Sequence, residues 1–307
     1  MIPNARPMKG LRGKLRINER MSKHTSWRVG GPADYYYIPA DLDDLMHFVA
    51  GLPASEPLTW VGLGSNLLVR DGGIRGTVIA TSGVLNELGL HEERLVRAEA
   101  GVACAKLARF SVQQGLSGAE FFAGIPGTVG GALAMNAGAF GGETWGLVEA
   151  VEVLDRHGQL HVRPPDDYAI GYRSVVGKPN EWFVAGRFRL TQGEADGGKA
   201  MIKSLLAQRG ATQPTHLPNA GSVFRNPPGD HAARLIESAG LKRLCEGDAC
   251  VSELHANFIV NRGGASALQV ERLIRTLQAR VEQAHGIRLE PEVRILGEAL
   301  AEARHEP

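Results

Sequence analysis

Between Glu120 and Glu143 the chain reads EFFAGIPGTVGGALAMNAGAFGGE, with seven glycines at 124, 127, 130, 131, 138, 141 and 142. Gly118 stands just ahead, the glycines follow no simple repeat, and residues 121–142 carry no charge. No other stretch limits the fold as strongly. Glycine admits φ > 0 and removes the Cβ that would keep backbone away from a partner. Exposed N–H groups in such turns form a concavity that attracts anions, typically phosphate. Pro126 fixes one φ angle in the middle of it. Two readings stay open on this stretch alone: a site for a phosphate-bearing ligand, or a helix pair packed through glycine and alanine. A membrane span is excluded, since no run of about 18 residues is dominated by large apolar side chains.

A second cluster favours the ligand reading. A short apolar strand at 58–61 runs into Gly62-Leu63-Gly64-Ser65-Asn66 and returns through Leu67, Leu68 and Val69. Asp71-Gly72-Gly73 makes the next turn, before a strand at 77–80. The dinucleotide fingerprint of a Rossmann fold needs a third glycine three positions after the second, at the start of a helix. Position 67 is Leu, and a strand follows. Two phosphate-type loops without that helix point to a different dinucleotide fold.

The bulk properties fit an ordinary enzyme. A chain of 307 residues can hold two or three domains. A net charge of +1 gives no sign of a nucleic-acid or anionic-membrane partner. Cys104, Cys245 and Cys250 lack the density of a disulfide framework and the spacing of a metal site, so three reduced thiols are expected. The scattered histidines form no HExxH or HxH pair, and no metal site is expected. The amino terminus lacks the apolar core of a signal peptide, which implies a cytoplasmic chain.

Along the chain, Asp41 is placed to cap a short helix with Leu42, Leu45, Met46 and Val49 on one face. A strand at 94–99 precedes a helix at 102–114 that Gly115 ends. Strands at 148–154 and 160–162 form a hairpin, and another strand follows at 182–190. A polar, glycine-rich loop at 192–198 leads to a helix at about 200–208. Beyond Pro218 come a strand near 222–225, a helix at 231–239 capped by Asp230, and a strand at 257–260. A long helix runs from Ser266 to Gly286, and the last strand is at 293–296. Mixed helices and hairpins make this an α+β protein.

Three residues with possible chemistry stand apart. Ser222, in Asn219-Ala220-Gly221-Ser222-Val223-Phe224-Arg225-Asn226, reads on its own as a turn residue. No GxSxG elbow surrounds it. Arg173, in Gly171-Tyr172-Arg173-Ser174, reads as a solvated arginine, and Glu292 as an edge-strand residue. Composition and spacing do not connect the three.

A resemblance does. The two glycine clusters resemble the FAD-binding fold of the vanillyl-alcohol oxidase and p-cresol methylhydroxylase type. Within that fold, the chain from about 18 to 298 is similar to the UDP-N-acetylenolpyruvoylglucosamine reductase family of peptidoglycan precursor synthesis. The matching segments are Thr25-Ser26-Trp27-Arg28-Val29-Gly30-Gly31-Pro32-Ala33, 62–66, 124–131, 135–139, 171–174, 219–224 and 290–294. Each is weak alone, and their order is the strong signal.

The resemblance implies an NADPH-dependent reduction of the enolpyruvyl sugar nucleotide through non-covalently bound FAD. It implies Arg173, Ser222 and Glu292 as catalytic residues: the cation that stabilises the enolate, the proton donor and the support of the developing enol. FAD contacts are implied at Gly62, Gly64, Ser65, Asn66, Gly124, Ile125, Pro126, Gly127, Thr128, Gly130, Gly131, Asn136, Gly138 and Ala139. Substrate contacts are implied at Tyr172, Arg225 and Asn226. The implied layout is an N-terminal segment (1–20), an FAD-binding domain (21–205, in subdomains of about 21–85 and 86–205) and a substrate-binding domain (206–307). The short interval between Arg173 and Asn219 places the chain with the family's shorter subtype. The expected partner is the small-molecule UDP-sugar alone, with no nucleic acid or membrane, acting on a monomer. Two rivals remain: a flavin oxidase of the same fold, disfavoured because neither glycine cluster holds a His or Cys for covalent attachment, and a catalytically silent nucleotide binder.

Overall fold

The computed structural model describes residues 10–300. Residues 1–9 of the expected N-terminal segment and 301–307 of the expected substrate-binding domain lie outside the described residues. The chain divides into two compact units, and it passes between them several times. Among the described residues, one unit holds 10–16, 35–63 and 77–209, and the other 17–34, 64–76 and 210–300.

The first unit is built on a five-stranded antiparallel sheet. Its order is Leu160–Arg163, Val148–Asp155, Glu181–Arg189, Leu95–Glu99, Leu88–Glu92. The expected hairpin is present, with Leu154 opposite Leu160 and Val151 opposite Arg163. The helices Cys104–Gln113 and Val129–Met135 belong to this unit, and the second lies against strand Glu181–Arg189. Its core includes Val96, Leu107, Phe122, Leu133, Val151 and Phe188. Strand Leu58–Val61 pairs in parallel with the last residues of Ile74–Ala80, Val61 opposite Ala80, and so delivers Gly62 to the end of a fixed strand. The Asp41 cap is present: its carboxylate accepts the Asp44 N–H (2.9 Å) at the start of helix Leu42–Gly51.

The second unit has three short antiparallel strands, Cys245–Glu246, Ala249–Val251 and Ile259–Asn261, and the long helix Ala267–His285. Strand Arg294–Leu296 pairs in parallel with Leu67–Val69. Trp27, from the segment 25–33, is fully buried in this unit's core. Its indole N–H donates to the Ile259 carbonyl (2.7 Å), and the Asn261 side chain returns a bond to the Trp27 carbonyl (2.9 Å).

Three expectations need correction. The glycine-rich loop at 192–198 is mostly helical, because helix Ala195–Thr212 starts well before residue 200. Gly198 is buried there, and a Cβ on it would meet the Val112 side chain at 2.7 Å, so small residues let the helix seat closely. No strand forms at 222–225. The backbone bonds there go to Asn257, through both its carbonyl and its side chain, and to the 290–293 segment. Finally, Cys245 and Cys250 are not free thiols. They face each other across the hairpin and form a disulfide, with Cα atoms 4.1 Å apart. Cys104 alone stays free among the described residues, and burial pushes its thiol up to about 12.

Candidate functional site

In the first unit, the glycine-rich stretch becomes a 3-10 turn (Glu120–Gly124), a tight connection and the short helix Val129–Met135. Several amides that sequence reasoning left for a ligand are used by the chain itself. Those of Val129 and Gly130 donate to the carbonyls of Val102 and Ala100 (both 2.9 Å), and that of Gly127 donates to Ile125. What remains is the Thr128 hydroxyl. Thr128 is 2% exposed and precedes the helix, yet its Oγ1 makes no capping bond and has no partner among the described residues. An orphaned buried hydroxyl costs about 1–3 kcal/mol unless something else satisfies it. A Cβ on Gly62 would fall 2.4 Å from this oxygen. A Cβ on exposed Gly131 would meet nothing but the same oxygen, at 3.8 Å. Two bare glycines and an unsatisfied hydroxyl therefore share one spot. That donor set fits the phosphate-bearing part of a cofactor.

Arg173 occupies the tip of a small hairpin formed by Ala169–Gly171 and Ser174–Val176, with Gly171 opposite Ser174. Its φ is +53°, the left-handed region, which costs an ordinary L-residue roughly 1–2 kcal/mol. Strain of this kind gathers at working sites. The guanidinium donates to the carbonyls of Asn136 (3.2 Å) and Gly138 (2.8 Å), and lies 5.2 Å from the Tyr172 ring centroid. Tyr172 is 48% exposed. A side chain on Gly138 would come within 3.0 Å of the Arg173 Nη1, so the motif 135–139 keeps this cation in place. Nearby, a Cβ on Gly124 would meet the Phe140 ring and, at 3.3 Å, the Ala139 methyl, and Ile125 packs against the hydrophobic core.

In the second unit, Ser222 and Glu292 are brought together through the backbone. The Glu292 N–H donates to the Val223 carbonyl (2.8 Å), and the Arg225 N–H to the Glu290 carbonyl (2.9 Å). Asn66 joins them: its side chain donates to the Glu292 carbonyl (3.1 Å), and its own carbonyl accepts the Arg294 N–H (3.0 Å). The loop before Ser222 is pinned by Asn219, whose side chain donates to Pro214 and Leu217 and accepts the Gly221 N–H. The Arg225 guanidinium is half-buried, 3.9 Å from the Glu290 carboxylate. Asn226 turns its side-chain oxygen to the Ala232 N–H (3.1 Å), the first residue of helix Ala232–Ser238. Gly64, Ser65, Asn66, Ser222, Arg225, Asn226 and Glu292 thus belong to the second unit, and Arg173 with the other expected cofactor residues to the first. Glu143, Thr144 and Trp145, which support the Arg173 region, carry no motif of their own and were not legible in the sequence. No group of three or more His, Cys, Asp or Glu residues suited to a metal occurs among the described residues.

Comparison with known proteins bears on the whole chain. Residues 33–162 match the FAD binding domain family, and residues 213–296 match the C-terminal domain of UDP-N-acetylenolpyruvoylglucosamine reductase. A UDP-N-acetylenolpyruvoylglucosamine reductase of Alkalilimnicola ehrlichii is 60% identical over 287 residues, covering 94% of this chain and 96% of the relative. One from Methylococcus capsulatus is 56% identical over 290 residues, covering 94% and 95%. The crystal structure of the UDP-N-acetylenolpyruvylglucosamine reductase of Thermus caldophilus superposes with a TM-score of 0.80 at 34% identity, covering 93% of this chain and 99% of that one.

Proposed function

Because the chain belongs to the UDP-N-acetylenolpyruvoylglucosamine reductase family, we propose that Arg173, Ser222 and Glu292 carry its chemistry. The reaction is the NADPH-dependent reduction of UDP-N-acetylglucosamine enolpyruvate to UDP-N-acetylmuramate, a step of peptidoglycan precursor synthesis. The protein is an FAD-containing oxidoreductase with the FAD-binding fold expected from its glycine clusters. FAD, when bound, would supply the hydride chemistry that links NADPH to the enolpyruvyl methylene carbon. Negative charge then gathers on the neighbouring carbon and its carboxylate. The Arg173 guanidinium stabilises that charge, and Glu292 supports the developing enol. The Ser222 hydroxyl gives the proton to the same carbon.

One observation carries this assignment: Arg173 is a cation at a strained turn, with its guanidinium fixed by two carbonyls. Such pre-organisation is what stabilising a charge that exists only transiently requires.

The cofactor residues fit FAD. The Thr128 hydroxyl, with Gly62 and Gly131 bare beside it, would meet the pyrophosphate, and the neighbouring loop residues would line the flavin. Arg225 would meet a phosphate of the UDP-sugar, with Tyr172 and Asn226 as further contacts. We assign FAD binding to residues 21–205 and substrate binding to the region from 206 on. The protein is taken to act as a cytoplasmic monomer on this small molecule, without nucleic acid or membrane partners. No helix among the described residues is long and apolar enough to cross a membrane.

The test is NADPH oxidation by the purified yellow protein with and without the enolpyruvyl sugar. Strict dependence on the sugar is expected, and flavin should leave the chain on denaturation. A colourless protein, or flavin that stays with the precipitated chain, defeats the cofactor assignment. Arg225→Ala should raise the Michaelis constant for the UDP-sugar more than that for NADPH; equal changes would remove Arg225 from the substrate site.

A further inference from the structure

We infer that Asn136 is a positioning residue for Arg173: its side chain ties the end of helix Val129–Met135 to the turn that carries the guanidinium. The inference rests on the catalytic reading of Arg173 given above.

Asn136 is 2% exposed and sits at the helix C-cap in the left-handed conformation, φ 43° and ψ 52°. Asparagine is one of the few non-glycine residues that tolerates this. Its amide group is committed within the protein. One nitrogen donates to the Gly171 carbonyl and to the Glu143 carboxylate, each at 3.1 Å, and the oxygen accepts the Trp145 N–H, also at 3.1 Å. A side-chain amide has two N–H donors, and both are spent here. Asn136 therefore has no donor left for a cofactor, although the motif 135–139 suggested one.

Gly171 is the residue from which the hairpin turns into Tyr172 and Arg173. The bond from Asn136 holds that point. The Arg173 guanidinium then comes back to the Asn136 carbonyl at 3.2 Å, closing a ring of contacts. A hairpin of three residues per strand is too short to hold a strained turn alone. It is also supported by Val175, which packs against the hydrophobic core, and by Tyr168, just before the first strand, which packs on Trp145 at 4.8 Å; Trp145 is itself bonded to Asn136. Asn136 thus reaches the turn directly and through Trp145.

The experiment uses two variants of the holoenzyme. Asn136→Gly keeps the left-handed cap and deletes the tether. Asn136→Asp keeps the shape and the acceptor for Trp145 but loses the donors to Gly171 and Glu143 and sets a carboxylate against that of Glu143. Both should retain FAD, and NADPH should bleach the flavin within about threefold of the normal rate. Reoxidation by the enolpyruvyl sugar should slow about 10- to 100-fold, the scale of a misplaced catalytic group. In an Arg173→Lys background, Asn136→Gly should slow reoxidation by less than about threefold further, because the two residues act as one unit. Independent, multiplicative losses would overturn the inference. So would loss of FAD from both variants or slowed bleaching, either of which would return Asn136 to the cofactor site. If Arg173→Lys alone leaves reoxidation intact, the catalytic role of Arg173 fails, and its positioning residue fails with it.

Discussion

Arg173 and Ser222 are each held by backbone that few residues tolerate: Arg173 itself at φ +53°, and Ser222 directly after Gly221 at φ +74°. The consequence differs for the two. For Ser222, the left-handed glycine before it and the Asn219 clasp fix the loop that carries a hydroxyl which, in the proposed role, meets one carbon. In that role its proton is needed only after hydride has reached the substrate. Ser222→Ala should therefore leave bleaching of the flavin by NADPH near normal and slow reoxidation by the enolpyruvyl sugar about 100-fold or more, the loss expected for a positioned acid. Ser222→Cys should keep part of the activity. Stopped-flow absorbance separates the two steps, and a defect confined to the NADPH step would return Ser222 to the role of a turn residue. For Arg173, the limit is space. A methyl group on Gly138 would lie 3.0 Å from Nη1 and 2.5 Å from the Gly142 carbonyl oxygen. The carbonyl is backbone and yields little, so the chain at Gly138 has to shift, and the carbonyl by which Gly138 holds the guanidinium shifts with it. Gly138→Ala should slow flavin reoxidation at least about tenfold without loss of FAD; an unchanged rate would mean the guanidinium has slack. At this scale the motif 135–139 did not reveal that Asn136 serves the turn. That follows from hydrogen bonds across 35 residues of sequence.

At the scale of elements, the sequence was most legible where local chemistry decides. The long helix announces its start at Ser266 and its stop at Gly286. The structure has the full capping box between Ser266 and Gln269, and Gly286 at φ +67°. Its apolar stripe, Val270, Leu273, Ile274, Leu277 and Val281, is buried throughout. A second cap came from far away and was not legible: the Asp71 carboxylate accepts the N–H groups of Ala267 (3.1 Å) and Leu268 (2.9 Å). Asp71→Ala should cost about 1–2 kcal/mol in urea unfolding, with Asp71→Asn losing less. No loss would mean the first-turn amides are content with water. Sequence reasoning failed where tertiary contacts override composition. Gly197 and Gly198 suggested a loop, yet burial of Gly198 against Val112 keeps them helical. It failed again at the cysteines, where spacing said nothing until hairpin register set Cys245 opposite Cys250. The denatured, unreduced chain should therefore expose one thiol to Ellman's reagent and three after reduction. Three before reduction would show that the pair stays open.

On the scale of the whole molecule, each unit contains a buried glutamate held by arginines, and this sets how the fold responds to acid. In the first unit Glu152 is 3% exposed and accepts hydrogen bonds from Arg97 and Arg187. Burial alone would raise its pKa, but the bonds from the two arginines outweigh that and hold it below the usual carboxylate value. In the second unit Glu271 is held down first by its hydrogen bond from Arg70, with Arg275 adding to it. A carboxylate with a depressed folded pKa contributes stability that is present above its unfolded pKa, about 4.3. That stability is lost as pH falls through the folded value. Glu99 has the opposite sign, since burial raises its pKa, and so it favours the fold on the acid side. Glu99 opposes Glu152 in the first unit, whereas Asp44, also buried there, acts with Glu152: burial opposes its charge, but bonds from Tyr37 and backbone amides hold it below its usual value. With a net charge of only +1 at neutral pH, general repulsion contributes little until the carboxylates protonate. The urea midpoint should accordingly hold steady from pH 7 to about 5 and fall steeply toward pH 3. Glu152→Gln and Glu271→Gln should each lower the midpoint at pH 7, because each leaves an arginine without its charge partner. Each should also flatten the acid decline, because the titrating group is gone. Curves for the variants that run parallel to the parent through the acid range would show that these two glutamates do not govern acid unfolding.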